Sequence, residues 1–184
     1  MRRALSFVGS AVEFDEYRVH LKSVTCPHCR AVGHLNRHGY LRGYAERGNE
    51  REVRGWRVFC SNRGRRRGCG RTYSILLAGV LRRRSVSAAR FWAFLNGVLK
   101  GASVQKSWEA VRSGFSVECG YRLWSAFRRF ETTLRTLLCR IEEPPCKRSR
   151  YSWSQTLEHL RKIFGAKPCP IAAWQLRFQR AFAS

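Results

Sequence analysis

The sequence predicts an α+β fold in which a small antiparallel sheet precedes a bundle of helices. Between residues 17 and 75, apolar and polar residues alternate over short stretches, a pattern typical of strands. From Ser85 onward, apolar residues recur every three or four positions, as on one face of a helix. Two pairs of cysteines lie within this strand-like region, at 26 and 29 and at 60 and 69. We therefore predict a sheet domain with an N-terminal strand over 1–84, a helical domain over 85–140, and a linker with two amphipathic helices over 141–184.

Length and apolar content fit one ordinary domain or two small modules. The chain has 184 residues, of which 44% are hydrophobic, so it is able to bury a core. The uncharged stretch near the middle, 72–81, is only ten residues long, whereas a spanning helix needs about 20. The first residues are broken by Ser6, Gly9 and Ser10 and are followed by acids, which argues against a secretory signal. We expect a cytoplasmic bacterial protein, associated with the nucleoid and not with a membrane.

Charge indicates the kind of partner. Lys and Arg number 36 against 12 Asp and Glu, giving a net charge of +24, and 30 of the 36 cations are arginine. Residues 26–84 hold 15 cations and 3 acids, so half of the excess lies on this segment. Arginine presents a planar fork that matches phosphate and guanine edges. The composition therefore favours nucleic acid over an anionic membrane surface.

Cysteine spacing predicts a metal site in the first segment. Cys26 and Cys29 form a CxxC knuckle, and Cys60 and Cys69 form a second pair, separated by eight residues rich in Arg and Gly. Four thiolates at about 2.3 Å complete a closed structural Zn²⁺ site, and nearby arginines favour the thiolate form. We expect the four cysteines to bind one Zn²⁺ and the insert of the second pair to form a basic loop.

Other roles for these residue types are less favoured by the sequence. A thioredoxin-like redox motif would require a long helix after the CxxC pair, and none is predicted there. His28, His34 and His38 are alternative ligands, although surface or stacking roles fit them better. Four further cysteines lack the spacing of a metal site and are interpreted as buried or free thiols: Cys119, Cys139, Cys146 and Cys169.

A three-stranded antiparallel sheet accounts for the segment around the cysteines. We predict a strand over Tyr17–Lys22 leading to the first knuckle, and a turn at His38-Gly39 within residues 34–44. Residues 52–60 form a strand leading to Cys60, and residues 71–75 resume after the second pair. Such a sheet has too little core to fold alone, so the metal would supply much of its stability.

Three helices are predicted in the second segment. The first begins after Ser85 and ends before Gly101, a shorter one carries Trp108, and a long third helix is capped by Ser116. Tyr121 is assigned to the apolar stripe of the third helix. A short second helix, a Gly-containing turn and a basic third helix are the layout of a helix-turn-helix, although a bundle with a solvated basic face has the same pattern.

Nucleic-acid contacts are predicted on the insert of the second cysteine pair, the arginine run before the helices, and the third helix. On the third helix we expect Arg122 to reach base edges, with Ser125 on the same face, and Arg128 or Arg129 to contact phosphate. The full set of predicted contact residues is Arg63, Arg65, Arg66, Arg67, Arg71, Arg82, Arg83, Arg84, Arg122, Ser125, Arg128 and Arg129.

Over about residues 20–140 the sequence resembles the N-terminal regions of insertion-sequence transposases. The resemblance rests on the Cys26–Cys29 knuckle, the Arg37-His38-Gly39 motif, the approach 57–60, the exit Gly68-Cys69-Gly70-Arg71-Thr72-Tyr73-Ser74 and the following helices. It implies a zinc ribbon, a helix-turn-helix, and recognition of the DNA ends or promoter of a mobile element. Strand cleavage in that family belongs to a separate catalytic domain, so a catalytic transposase subunit or a second copy of this chain is the expected protein partner.

No catalytic residues are predicted in this chain. Two-metal strand transfer requires three convergent carboxylates, whereas the only Asp is Asp15 and the helix glutamates Glu109, Glu118 and Glu131 fit surface roles. Three other functions remain open: RNA binding, a transposition enzyme, and a subunit that only docks a partner. In the RNA alternative, aromatic residues near arginines would stack on bases, namely Tyr40, Tyr44, Trp56 and Tyr73.

The last segment predicts two short helices. Glu142–Pro145 is a linker, followed by the basic patch Lys147–Arg150. We expect Ser154 to cap one helix that ends at Gly165, and Pro170 to open another. Because Trp153, Trp174 and Phe178 would be a liability if exposed, we expect these helices to fold back on the bundle.

Overall fold

The computed structural model describes residues 5–46, 50–64, 67–146 and 151–183. The predicted contacts Arg65 and Arg66 and the basic patch at 147–150 lie outside these ranges. The α+β class is confirmed, since a four-stranded mixed sheet is followed by a set of helices. The strands are β1 (Leu5–Val8), β2 (Leu35–Tyr44), β3 (Arg51–Cys60) and β4 (Thr72–Leu77). The helices are α1 (Ala11–Val19), α2 (Ala88–Leu99), α3 (Val104–Ala110), α4 (Val117–Leu138), α5 (Ser152–Phe164) and α6 (Pro170–Phe178).

The sheet has one more strand than predicted, and one of its pairings is parallel. Its strand order is β1-β4-β3-β2, with β2, β3 and β4 antiparallel as expected. The additional strand β1 pairs parallel with β4, from Leu5 opposite Ser74 to Val8 opposite Leu77. Only four residues long, β1 is too short for its alternation to predict a strand.

The predicted strand over Tyr17–Lys22 is wrong, because α1 covers residues 11–19. Ser10 caps this helix by accepting a hydrogen bond from the Glu13 N–H at 3.1 Å, and the Glu13 carboxylate accepts one from the Gly9 N–H at 2.6 Å. Ser10 and Glu13 have the S-x-x-E spacing of a capping box, so the helix signal is present in the sequence. Phe14 then stacks on Trp56 with ring centroids 3.8 Å apart and fixes α1 on the sheet.

The predicted turn at His38-Gly39 is also wrong. β2 runs through both residues, and its register with β3 shifts between Arg37 and Gly39, which is a bulge. Glycine favours a bulge as well as a turn, so the residue pair alone does not separate the two. The chain reverses later, where the Ala45 N–H donates to the Glu50 carbonyl at 2.9 Å.

The helix boundaries largely follow the predictions. Ser116 is the N-cap residue of α4, although its side chain makes no capping hydrogen bond in the described structure. Pro170 opens α6 and Gly165 follows α5, as expected. Ser154 is not a cap: α5 begins after Tyr151, and the buried Ser154 hydroxyl donates to the Tyr151 carbonyl at 2.8 Å. Within the described ranges, no helix combines the length and apolarity required to cross a bilayer.

The C-terminal helices fold back on the bundle, as predicted, and α6 also ties it to the sheet. Leu157, Leu160, Ile171 and Trp174 are buried in the same core as α2 and α4. The buried Gln175 amide donates to the Ala78 and Val80 carbonyls at 2.7 and 3.0 Å, just after β4. On β1, the edge strand next to β4, both backbone groups of Phe7 exchange hydrogen bonds with Gln179. These contacts hold the sheet and the helices in one arrangement.

Trp108 of α3 fixes the packing of α3 against α4. Its indole N–H donates to the Ser116 carbonyl at 2.9 Å, just before α4 begins. A Cβ atom at Gly120 would lie 2.6 Å from Cγ of Trp108, closer than packed carbon atoms approach. Glycine at this position therefore allows α4 to lie directly against the Trp108 ring.

We predict that Gly120→Ala lowers the stability of the helical bundle. In an open helix the same change would stabilise by about 0.5–1 kcal/mol, but the clash with Trp108 should reverse the sign and destabilise by about 1–3 kcal/mol. Urea unfolding followed by tryptophan fluorescence measures the difference. Gly79→Ala is the control, because a Cβ atom there meets nothing within 4 Å. A Gly120→Ala protein as stable as the wild type would contradict this packing.

Candidate metal centre and basic surface

Four cysteine side chains from the sheet region converge on one point. The sulfur atoms of Cys26, Cys29, Cys60 and Cys69 all lie within 4.8 Å of one another. The Cys26–Cys69 and Cys29–Cys60 sulfur pairs are each 3.8 Å apart. Cys60 thus joins the cluster despite the eight-residue insert that separates it from Cys69, as the sequence predicted.

Backbone turns on both sides of the cluster aim the sulfurs inward. At the first knuckle the Arg30 N–H donates to the Cys26 carbonyl and the Cys26 N–H to the Ala31 carbonyl, both at 2.9 Å. At the second, the Gly68 N–H donates to the Ser61 carbonyl at 3.0 Å and the Gly70 N–H to the Cys60 carbonyl at 2.9 Å. Ser61 and Gly68, at the two ends of the insert, are hydrogen-bonded to each other. The length of the insert therefore does not displace Cys60 or Cys69 from the cluster.

Gly68 is required for this closure. A Cβ atom at Gly68 would lie 2.1 Å from the Ser61 carbonyl oxygen and 2.9 Å from the Cys60 sulfur. The Cys69 N–H next to it points at the Cys60 sulfur at 3.4 Å, a contact that stabilises a thiolate. The Gly68-Cys69-Gly70 run is thus part of the geometry of the site.

The distances fit a tetrahedral metal ion and exclude disulfides in this arrangement. Ligands at about 2.3 Å from a tetrahedral centre are about 3.8 Å from one another, which is the separation of both measured sulfur pairs. A disulfide requires sulfurs about 2.05 Å apart, and all eight cysteines are free. The cluster is therefore compatible with one bound metal ion held by four sulfurs.

The environments of Cys29 and Cys60 shift their thiol pKa values in opposite directions. The Ala31 N–H lowers the pKa of Cys29 to about 7, whereas burial raises the pKa of Cys60 to about 12. Burial also raises the pKa of Cys69. A buried thiolate at Cys60 therefore requires a compensating positive charge, and a divalent cation supplies it.

The histidines weighed as alternative ligands are His28, His34 and His38, and two of them contact other groups. His28 lies beside the Thr72 carbonyl, with its Nε2 atom 3.3 Å from the oxygen. The His38 ring packs on Phe59 with centroids 5.9 Å apart. Among the described residues, the group able to hold a metal contains the four cysteines and no histidine.

Three of the four nucleic-acid residues predicted on the third helix share an exposed depression. It is lined by Arg84, which precedes α2, and by Tyr121, Arg122, Ser125 and Arg129 of α4. Tyr121, predicted on the apolar stripe, is in fact 49% exposed and belongs to this surface. We name this set of five residues the α4 surface. The α4 surface joins two regions that are far apart in the sequence. Helical periodicity alone assigned Tyr121 to the buried side of α4, which is wrong.

Arg128 differs from its neighbours on α4. Its Nε atom lies 3.3 Å from the Glu131 carboxylate, and its guanidinium carbon is 5.9 Å from the Trp124 ring centroid. Glu131 is buried and also pairs with Arg135. Arg128 and Arg129 are both exposed, but Arg128 is paired with a carboxylate, whereas Arg129 forms no ion pair among the described residues.

The remaining predicted arginines fall into two groups. Arg63, Arg67 and Arg71 are exposed around the second cysteine pair. Arg82 and Arg84 are half-buried, while Arg83 is exposed in the segment between β4 and α2. Arg54, which sequence reasoning did not single out, anchors that segment by donating to the Arg84 carbonyl.

Comparisons with known proteins add no relative to these observations. No protein-family model, curated protein or solved structure matches this chain. The likeness to insertion-sequence transposases noted in the sequence therefore stays a prediction.

We predict that Cys26→Ser removes the metal and loosens the sheet while the helical bundle stays folded. Loss of one of four ligands should sharply lower the metal content, because a structural site of this kind contributes on the order of 10 kcal/mol in small zinc domains. Metal analysis measures the first effect, and near-ultraviolet circular dichroism, to which the Phe14–Trp56 stack contributes, measures the second. Cys139→Ser is the matched control, since Cys139 is exposed and outside the cluster. Unchanged metal content in Cys26→Ser would contradict the four-sulfur site.

Proposed function

We propose that this chain is a zinc-containing protein that binds double-stranded DNA in a sequence-directed manner. The observation that carries the proposal is the α4 surface, where three arginines, a tyrosine and a serine from two regions of the chain line one exposed depression. The net charge of +24 agrees with a polyanionic partner. The metal centre supports it by fixing the basic loop of the second cysteine pair.

Zinc is the proposed ion because of the donor set. Four cysteine sulfurs in a tetrahedron are typical of zinc or of iron–sulfur sites, and a closed set without an open position favours a structural zinc. Free thiols and a metal site fit a reducing cytoplasm, associated here with the bacterial nucleoid.

The geometry suggests how the α4 surface would contact a duplex. An α-helix of 22 residues is about 33 Å long, and its width suits a major groove about 12 Å wide. Arg122 and Ser125, in the first half of α4, would face base edges. Arg129 and Arg84 would contact phosphates on either side, and Arg63, Arg67 and Arg71 would add contacts through the metal-bound loop.

Recognition of a mobile element, without catalysis by this chain, is the corresponding biological role. Two of the acids of the described chain are in ion pairs: Asp15 pairs with Arg18, and Glu131 pairs with Arg128 and Arg135. This distribution supports a chain that reads element ends or a promoter while a separate catalytic subunit cuts. A second copy of the chain is the alternative protein partner.

We predict that Arg129→Ala weakens duplex binding more than Arg128→Ala does. Removing a phosphate contact should lower affinity for all duplex sequences and reduce the slope of log K against log salt by about 1. For Arg122→Ala we expect a loss of about 1–3 kcal/mol concentrated on the preferred sequence. Fluorescence anisotropy with a labelled duplex selected from a random pool, repeated over a salt series, measures both effects.

The outcome for Arg128 separates the α4 surface from a general charge effect. If Arg128→Ala and Arg129→Ala reduce binding equally, net charge alone explains the affinity and the specific surface is wrong. The urea midpoint of each variant controls for folding, since Arg128 pairs with the buried Glu131.

We predict one zinc ion per chain in protein purified without added metal. Elemental analysis distinguishes zinc from iron, and an iron–sulfur centre would also colour the protein, whereas zinc would leave it colourless. Removal of the ion by a chelator at neutral pH should weaken duplex binding, because the loop bearing Arg63 and Arg67 loses its support. Iron in place of zinc, or full binding by the metal-free protein, would contradict this assignment.

A further inference from the structure

A second basic surface lies on β2. It shares no residue with the α4 surface, although Arg42 and Tyr44 line a cavity with Arg82, Arg83 and Arg84. Tyr40 and Tyr44 are 48% and 52% exposed. Side chains two and four residues apart on a strand lie on the same face, so Tyr40, Arg42 and Tyr44 follow one another along β2, with Tyr40 and Tyr44 about 13 Å apart. We name these three residues, together with Arg37 and Arg51, the tyrosine stripe.

Arginines lie against both tyrosine rings. The guanidinium carbons of Arg37 and Arg42 are 4.5 and 5.9 Å from the Tyr40 ring centroid, and that of Arg51 is 5.4 Å from the Tyr44 centroid. Within the described residues, none of these three arginines forms an ion pair. The faces of both tyrosine rings are thus accessible to a planar group from the solvent. Among the described residues, no carboxylate neutralises the three arginines.

The other aromatic residues proposed for base stacking are not accessible. Trp56 and Tyr73 are only 4% and 3% exposed, and Trp56 is covered by Phe14. Tyr40 and Tyr44 remain, and they lie on β2, at the edge of the sheet. An edge strand with two open rings and three unpaired cations is the chemistry of a surface that stacks bases and holds phosphates.

We propose that the tyrosine stripe binds unpaired nucleotides of single-stranded nucleic acid. In a duplex the faces of the bases are covered by their neighbours, so the rings of Tyr40 and Tyr44 have no access to them. An unpaired base offers a face that replaces a guanidinium on the tyrosine ring. The displaced guanidinium is then free to pair with the adjacent phosphate, so stacking and charge neutralisation occur together. This function goes beyond duplex recognition and uses none of the residues of the α4 surface.

The test compares two double variants of the full, zinc-loaded chain. Tyr40→Leu/Tyr44→Leu removes both rings, whereas Tyr40→Phe/Tyr44→Phe keeps them and removes only the hydroxyls. Fluorescence anisotropy is measured with labelled oligothymidylate, oligouridylate and a DNA duplex. We expect the Leu pair to lose at least about tenfold in affinity for the single strands, the Phe pair to stay within about twofold of wild type, and duplex affinity to change less than about twofold.

Several results would overturn the proposal. They are an unchanged single-strand affinity in the Leu pair, an equal loss for duplex and single strands, or an equal loss in the Leu and Phe pairs. If the Leu pair loses its metal, or unfolds at a lower urea concentration than the wild type, Arg37→Gln/Arg42→Gln replaces it in the test. That variant keeps the rings and should lose single-strand affinity and salt dependence while duplex binding is retained, and no loss would refute the stripe.

The two single strands distinguish the source of the nucleotides. Stacking is indifferent to the sugar, so binding to both supports the stripe, and tighter binding to oligouridylate would point to RNA as the natural ligand. Failure to bind either strand, while the duplex is bound, refutes this inference and leaves the proposed duplex function intact. Binding of single strands without binding of the duplex refutes the proposed duplex function and leaves the proposal for the tyrosine stripe intact.

Discussion

The sheet region depends on the convergence of four cysteine sulfurs within 4.8 Å. Cys26 and Cys60 are fully buried, and they belong to the same apolar cluster as Phe14, Leu35 and Trp56. Burial raises the pKa values of Cys60 and Cys69, and a bound cation would favour the thiolate form of these two sulfurs. The cysteine cluster and the small core are thus one unit, and the hydrogen bonds around Gly68 that close the second knuckle support both.

The two halves of the protein are joined by polar contacts as well as by apolar packing. Gln175 is fully buried, and its amide bonds to carbonyls at the end of β4 while its oxygen accepts the Phe182 N–H. Because a buried amide left without partners would be costly, these bonds favour one arrangement of α6 against the sheet. Arg84 follows this segment in the chain and lines the α4 surface. Its position therefore depends on both the sheet and α6.

The sequence predicted the features that arise from local spacing and missed those that require tertiary partners. The knuckle ligands, the three helices of the bundle and the Pro170 start of α6 follow from residues close to one another in the chain. The second cysteine pair is also predicted, because a loop between Cys60 and Cys69 is able to protrude without moving the two cysteines. β1 was missed because four residues form a strand only when β4 is beside them. The sequence does not predict α1 although Ser10 and Glu13 have capping-box spacing, because the alternation at Tyr17–Lys22 indicates a strand.

The candidate site divides in the same way. Helical periodicity placed Arg122, Ser125 and Arg129 on one face, and the structure brings them together. The difference between Arg128 and Arg129 was not predictable, because it depends on where Glu131 is buried between helices. Arg84 joins the same depression only through the fold, and no spacing in the sequence relates residue 84 to residue 122.

The few acidic residues explain how so basic a chain keeps its arginines available. Glu46 accepts the Ser87 N–H at the start of α2 and lies 3.3 Å from Arg90, so it ties the β2–β3 hairpin to the bundle. Glu131 joins Arg128 and Arg135 inside the helical region. These carboxylates neutralise arginines that have structural roles. On the described surface, Arg129 of α4 and Arg37 and Arg42 of β2 form no ion pair. The placement of the acids, more than the number of arginines, therefore determines which surfaces are free to attract a polyanion.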